Sequence, residues 1–407
     1  MQITWSEHQR AIRARYQTVG HELVRPTAGQ RDSSLSFDRE LWRNLARSGL
    51  FGVHMPTAYG GQGLGIWEFA AALDGFAEGC QDMGILVSFV AQVALVQAGL
   101  LSYGSEAQCQ RWLPDLISGE KIGCFAITEA TCGSDVRALK LSASYAATGY
   151  VLQGQKWNIT NAPVADLCMT FARLEGAGAQ AITCFMTETD KPGITQSAAF
   201  ELLGNRGTPI GSIDFEHAAL DLDSVIGGEG QGLRVLYFGF LVERVLTGLI
   251  VTGCVQPLID ECIAYSSKRL AFGKPISDNQ YVQGHIVQIY TQLELLRSVL
   301  LRGLSALERG EDCSKLASII KILASEALHD ACLTAMKIHG NYGYRRDHYF
   351  ERLLRDSIGL FFAGGTIEIH KHVIWTNLLA EAQDRSKEKT DLRLDAYQAR
   401  TTEGAAA

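Results

Sequence analysis

The chain has 407 residues, 47% hydrophobic and 20% charged, an ordinary globular composition with enough apolar material for a sizeable core in two or three domains. The formal net charge is −7, and there is no Lys/Arg-rich run or basic helix face. Nucleic acid is therefore not an expected partner.

The first residues, Met-Gln-Ile-Thr-Trp-Ser-Glu, lack the basic and apolar segments of a signal peptide. Ser6 followed by Gln9 has the form of a capping box, and Ile12, Tyr16, Val19 and Leu23 recur at helical spacing. Leu41, Leu45 and Leu50 continue a helical pattern. The stretch MPTAYGGQGLG, with Pro56 and four glycines, breaks it. Residues 83–101 carry no formal charge and are long enough to invite a membrane reading. Ser88, Gln92 and Gln97 interrupt them, so a buried helix is expected rather than a membrane span.

From about Lys121 to Gly228 the pattern changes. KLSASYAA, GYVLQGQKW, LCMTFARL, AITCFMT and IGSIDFEHA are short, rich in β-branched and aromatic residues, and bounded by Gly, Asn and Asp. They read as strands of a compact β domain. After Gly232 the helical period returns. Val282, Ile286, Ile289, Leu293 and Leu296 share one stripe, and Leu316, Ile320, Leu323, Ala327 and Ala331 another. Long amphipathic helices with short connections predict an antiparallel bundle. The expected fold is α+β: an N-terminal helical domain over 1–120, a middle β-barrel-like domain over 121–231, and a C-terminal antiparallel helix bundle over 232–383. A loose polar tail is expected over 384–407.

Ten scattered cysteines form no C-x-x-C pair and have no His pair at zinc spacing beside them. They read as buried, reduced side chains in a cytoplasmic protein, and no metal site is expected. GGQGLG and GGEGQG miss the G-x-G-x-x-G spacing and lack a surrounding βαβ unit, so both read as turns.

Five segments carry chemistry. CFAITEATCGSDV offers the hydroxyls of Thr128 and Ser134 and the exposed backbone of Gly133, suited to a flavin edge or a phosphate, although a capped turn explains it equally well. KWNITNAPVADL ends a strand in polar residues. KRLAFGKPISDNQ sets Arg269, Phe272 and Gln280 at a helix end. KIHGNYGY and ERLLRDSIGLFFAGGTIEI follow. Each alone reads as a turn or cap, but the order of all five is specific.

Together they resemble the acyl-CoA dehydrogenase family over about residues 6–380. The resemblance implies FAD as cofactor, with Thr128, Gly133, Ser134 and Thr160 beside the isoalloxazine. It implies that Arg269, Phe272 and Gln280, with Gly340 and its neighbours, hold the FAD of an adjacent subunit. Thr366 would touch the flavin. A homo-oligomer follows, usually a tetramer. The positions depart from the family pattern at Asn158, often Trp or Tyr, and at Lys337 and Asn341 of the adenine loop.

Family chemistry removes an α proton while flavin N5 takes a hydride from the β carbon of an acyl thioester. Many members place the base, a Glu, immediately before the GT pair; here that position is Gly364. Glu243 stands alone in an apolar helix, with no other acidic residue between Glu229 and Asp260. Such a carboxylate is paired, protonated or functional. A pair with a distant Arg is the structural explanation. The resemblance favours the other, because isovaleryl-CoA and long-chain members carry the base in an ER pair that matches Glu243-Arg244. A raised carboxyl pKa in a dry site is expected for it. The backbone N–H of Gly364 remains as a donor to the thioester carbonyl.

Leu241 stands where members acting on CoA esters commonly have Asp or Asn. ITNAPVAD and RDSIG resemble the branch acting on carrier proteins, such as prolyl-carrier-protein dehydrogenases. The thioester is therefore expected on CoA or on a carrier's phosphopantetheine, and the electron acceptor is electron-transfer flavoprotein or oxygen. A flavin-dependent monooxygenase or oxidase on the same fold is the competing enzyme, distinguished by oxygen reactivity of the reduced flavin. A noncatalytic nucleic-acid-associated flavoprotein conflicts with the negative charge.

Overall fold

The structure is a computed structural model that describes residues 5–176, 178 and 182–383. The tail expected over 384–407 lies outside the described residues.

The N-terminal part contains α1 (Glu7–Val19), α2 (Ala28–Ser34), α3 (Arg39–Arg47), α4 (Ile66–Cys80), α5 (Met83–Val90), α6 (Ala98–Tyr103) and α7 (Glu106–Ile117). Ser6 and Gln9 form the expected capping box on α1. α1 and α4 approach so closely that a Cβ at Gly75 or Gly79 would stand 2.1 or 2.0 Å from the carbonyl oxygen of Arg13 or Gln17. Two bare helix surfaces thus let two backbones meet.

The middle part is one mixed sheet. Its strands are β1 (Gly123–Ala126), β2 (Ser142–Ala146), β3 (Gly149–Thr160), β4 (Leu167–Leu174), β5 (Ile182–Glu188), β6 (Ile194–Gln196), β7 (Ile210–Asp221) and β8 (Val225–Ile226). The path runs β6-β7-β3-β2-β4-β5-β8, with β1 joined to β4. β4 is buried on both faces except at Arg173, which explains its mostly apolar sequence. β3 and β7 pair antiparallel, with a register shift between Lys156 and Ile159. Asn158 falls in that shift at φ 55°, a left-handed conformation that Asn tolerates better than the aromatic residue usual in the family.

The C-terminal part holds α8 (Gly232–Lys268), a short hairpin of β9 (Leu270–Ala271) and β10 (Lys274–Pro275), α9 (Gln280–Glu308), α10 (Ser314–His339), α11 (Tyr349–Gly359) and a last helix, α12, over residues 367–383. α8 is the axis of the molecule and packs against α4, α9 and α10. A Cβ at its Gly253 would stand 2.5 Å from the Asp74 carbonyl oxygen on α4, and one at Gly248 would meet Ile320 and Leu300. An apolar helix of this kind belongs inside a large protein. The stretches Met83–Tyr103 and Gly232–Lys268 have membrane-span hydropathy, and 78% and 72% of their most apolar windows are buried in the fold.

Polar side chains fasten the N-terminal helices to one another and to the other parts. Arg31 Nη2 is 2.7 Å from Asp82 Oδ2, and Arg355 reaches both oxygens of Asp32. Asp356 on α11 accepts from the backbone N–H of Asn205 in the loop before β7.

Candidate active site

α8 begins after a turn in which Gly227, Gly228 and Gly230 all have positive φ. Three turns in, it presents Glu243 to the inside, 8% exposed. Oε1 accepts from the Thr247 hydroxyl at 2.9 Å, one turn along the same helix. It also accepts from Lys321 Nζ at 3.3 Å, from α10. Lys321 is fully buried. Among the described residues Oε2 has no hydrogen-bond partner. That free oxygen faces the turn before α12, where a Cβ on Gly364 would stand 2.3 Å away.

Arg244 occupies the adjoining face. Its Nε and Nη2 donate to the Gly364 carbonyl oxygen at 3.3 and 3.1 Å, and its guanidinium lies over Phe240. One side chain of the ER pair thus faces the Gly364 gap, and the other holds the backbone that shapes it. Thr366 starts α12, its hydroxyl accepting from Ile369 N. One turn later His370 is fully buried against Gly365, and among the described residues neither ring nitrogen has a hydrogen bond of full geometry.

The electrostatics correct the sequence expectation of a raised carboxyl pKa. Burial is the largest influence on Glu243 and pushes its carboxyl up. Lys321, then Arg244, then the Thr247 hydroxyl together outweigh it, leaving the group below the ordinary glutamate value. The expected structural partner was an Arg; the ion pair is instead with Lys321. Burial, then the charges of Arg244 and Lys321, press His370 down to about 4, so it is neutral beside the pair at pH 7.

The Thr128 segment is joined to β3, the strand that ends at Thr160. The Trp157 N–H donates to the Thr128 carbonyl at 2.8 Å, joining the two segments. Behind them lies a pair not anticipated from sequence. Lys156, fully buried, donates to Glu129 Oε1 at 2.8 Å and to the Ile127 carbonyl at 3.0 Å. Glu129 also accepts from the backbone N–H groups of Lys140 and Leu141. Glu129 and Cys132 close the intervening loop with two backbone bonds, leaving Gly133 and Ser134 exposed beyond it.

The remaining predicted residues lie elsewhere. Arg269 caps the far end of α8, roughly 39 Å along the helix from Glu243 at about 1.5 Å per residue. Phe272 and Gly273 form the tip of the β9–β10 hairpin, both at positive φ, and the Phe272 ring is fully exposed. Gln280 opens α9. Gly340 sits near this end, since Tyr265 on α8 stacks on His339 at 4.1 Å. A Cβ on Gly273 or Gly340 would meet no heavy atom within 4 Å. The chain thus carries two groups of predicted residues at opposite ends of α8, each open to a ligand. Among the described residues no group of three or more His, Cys, Asp or Glu is placed to hold a metal.

Comparison with known proteins matches three successive stretches of the chain. Residues 6–120, 124–218 and 230–379 match the models of the acyl-CoA dehydrogenase N-terminal, middle and C-terminal domains. Mitochondrial isovaleryl-CoA dehydrogenase of Pongo abelii is 32% identical over 374 residues, covering 91% of this chain and 88% of that protein. The prolyl acyl carrier protein oxidase AnaB superposes with a TM-score of 0.90 at 31% identity, over 92% of this chain and all of that one. PigA, solved with FAD and proline, gives 0.89 at 25% identity, over 93% of this chain and 99% of that one. The matched models leave little of the chain uncovered, and the buried Glu-Arg pair stands inside the third: the chain belongs to the acyl-CoA dehydrogenase family.

Proposed function

We propose that this protein is an FAD-dependent dehydrogenase that desaturates an acyl thioester at its α and β carbons, with Glu243 as the base. The observation that carries the reading is the free Oε2 of Glu243, buried and facing Gly364. A buried carboxylate oxygen without a partner is costly unless something it serves arrives there. Ionised at neutral pH, it is ready to take a proton from carbon.

FAD, when bound, supplies the acceptor for the β hydrogen and its electron pair. The side chains named for it fit such a group. Gly133 and Ser134 offer exposed backbone and a hydroxyl, the Thr128 side chain stands beside Gly133, Thr160 ends β3, and Arg269 offers a cation for a pyrophosphate. Gly364 has a role by its backbone: its N–H donates to the thioester carbonyl, which acidifies the α proton. Arg244 fixes that peptide by holding its carbonyl. Thr366 anchors the start of α12 against the same turn.

The two open groups at opposite ends of α8 support a cofactor site shared between copies of the chain, and hence a homo-oligomer, a tetramer by family habit. An aromatic ring held fully in water at the hairpin tip supports a partner for Phe272. The acyl group is carried by CoA or by a carrier protein's phosphopantetheine; likeness to the carrier-protein oxidase supports the second. All ten cysteines are buried and free, which supports a reducing, cytoplasmic setting.

The deciding experiment is anaerobic flavin bleaching with a panel of acyl-CoAs and acyl carrier proteins, followed by stopped-flow reduction of Glu243→Gln. Reduction should slow by at least ~10²-fold in that variant while the thioester still binds. An unchanged rate would remove the base. Turnover with electron-transfer flavoprotein against oxygen consumption then identifies the acceptor.

A further inference from the structure

The family chemistry needs a base that is ionised, dry and aimed. Three facts about Glu243 bear on how this chain meets all three conditions. The carboxylate is buried, and burial disfavours its charge. Its two oxygens are unequal, since Oε1 has two donors and Oε2 none. One of the donors is a lysine with no exposure at all, whose ammonium has no other hydrogen-bond partner described. A fully buried lysine is expensive unless its charge is paired.

Resting on the reading of Glu243 as the base, we infer that Lys321 is its positioning residue: the buried ammonium holds Oε1, keeps the carboxylate ionised in a dry site, and leaves Oε2 as the oxygen that takes the proton. The geometry divides the labour. Thr247 fixes the carboxylate from one turn along α8, and Lys321 fixes it from α10, so two elements set its plane. Arg244 adds charge from the adjacent position, but its hydrogen bonds go to the Gly364 carbonyl rather than to the carboxylate. His370 faces the cluster from α12 and brings no charge at neutral pH. Lys321 is therefore the one cation of the group bonded directly to the base. It does not touch the reacting carbon, because Oε1 stands between.

The arrangement also explains how a base can work here without a raised pKa. A carboxylate weakened by a neighbouring cation loses some basicity. In exchange it rests ionised at neutral pH, so substrate meets it in the competent form.

The test is a pH titration of the FAD-replete protein without substrate, read by infrared difference spectroscopy. The protonated-carboxyl band missing from Glu243→Gln belongs to Glu243. In the native chain it should appear only at acid pH. In Lys321→Met its midpoint should rise by about 1–3 pH units, the range for losing an adjacent opposite charge. Lys321→Arg should bring it back down. The pH profile of stopped-flow flavin reduction should move with the band, a shift that loosened packing alone would not produce. If Lys321→Met does not fold, Lys321→Gln, which keeps length and polarity, is read in its place. A midpoint that stays where the native chain has it overturns the inference. So does a native Glu243 that is already protonated at neutral pH. The failure of the base reading is separate: there Glu243→Gln would reduce flavin at the native rate, whatever the infrared midpoint does.

Discussion

Gly364 faces Glu243 so closely that a Cβ built on it would stand 2.3 Å from Oε2 and 3.0 Å from Oε1. Its φ of 65° lies in the left-handed region, which penalises a side chain a second time. The two base positions used within the family therefore share one space in this chain, and only one can be filled. Gly364→Ala should cost about 1–3 kcal/mol by overpacking, seen as a lower melting temperature. It should also slow flavin reduction by up to ~10²-fold, because the carboxylate must move aside. A variant with native rate and native melting temperature would show that the turn yields freely.

Relocating the base follows from the same contact. Glu243→Gln combined with Gly364→Glu should stay inactive, because the amide still occupies the gap. Glu243→Ala combined with Gly364→Glu vacates it and should recover part of the reduction rate, less a backbone strain of about 1–2 kcal/mol at residue 364. Stopped-flow absorbance of the flavin distinguishes the pair. Equal recovery in both would mean the positions do not compete.

Five of the strands were legible because they carry β-branched or aromatic residues between turn formers, and LCMTFARL matches β4 end to end, whereas β1, β6 and β8 are too short to show a pattern. Glu243 was legible through its isolation in an apolar helix. Lys321 left a fainter signal. It lies on the stripe of Ala317, Ala324 and Leu328, where a charge is out of place. Its partner is on another helix, and no periodicity names that. The β9–β10 hairpin was missed for a different reason. A two-residue hairpin turn normally shows Asn-Gly or Asp-Gly, and Phe272-Gly273 hides it. Glu129 and Lys156 were overlooked inside motifs whose hydroxyls and glycines drew the attention.

That last pair makes a prediction about the cofactor. Lys156→Met strips a buried carboxylate of its cation and should destabilise the chain by about 3–5 kcal/mol. It should also loosen the loop carrying Gly133 and Ser134, so flavin is lost on gel filtration. Adding Glu129→Gln should restore part of the stability. Full flavin content in Lys156→Met would mean the loop keeps its shape without the pair.

Phe272 tests assembly without disturbing the single chain. The ring is exposed and its backbone is left-handed, a conformation Asn adopts more readily. Phe272→Asn should therefore leave the fold of each chain intact. It should lower both oligomer mass by light scattering and the flavin absorbance per chain. Mass and flavin content equal to those of the native protein would contradict a shared site.

Asp356 predicts how stability depends on pH. Burial raises its carboxyl to about 7; the Asn205 N–H opposes this and the charge of Asp82 adds to it. An unfolded chain releases that proton near 3.8. Between those values the folded chain holds a proton the unfolded chain has lost, so stability falls as pH rises through the window and levels off above it. The full effect is on the order of 4 kcal/mol. Asn at this position carries no titrating proton and still offers an oxygen to Asn205. The melting temperature of Asp356→Asn, relative to the native chain, should therefore be higher at about pH 8 than at about pH 5. Parallel melting curves at the two pH values would mean that Asp356 stays ionised inside the fold, held by Arg352 nearby. The loop before β7 would then be fastened to α11 by charge rather than by a neutral acid.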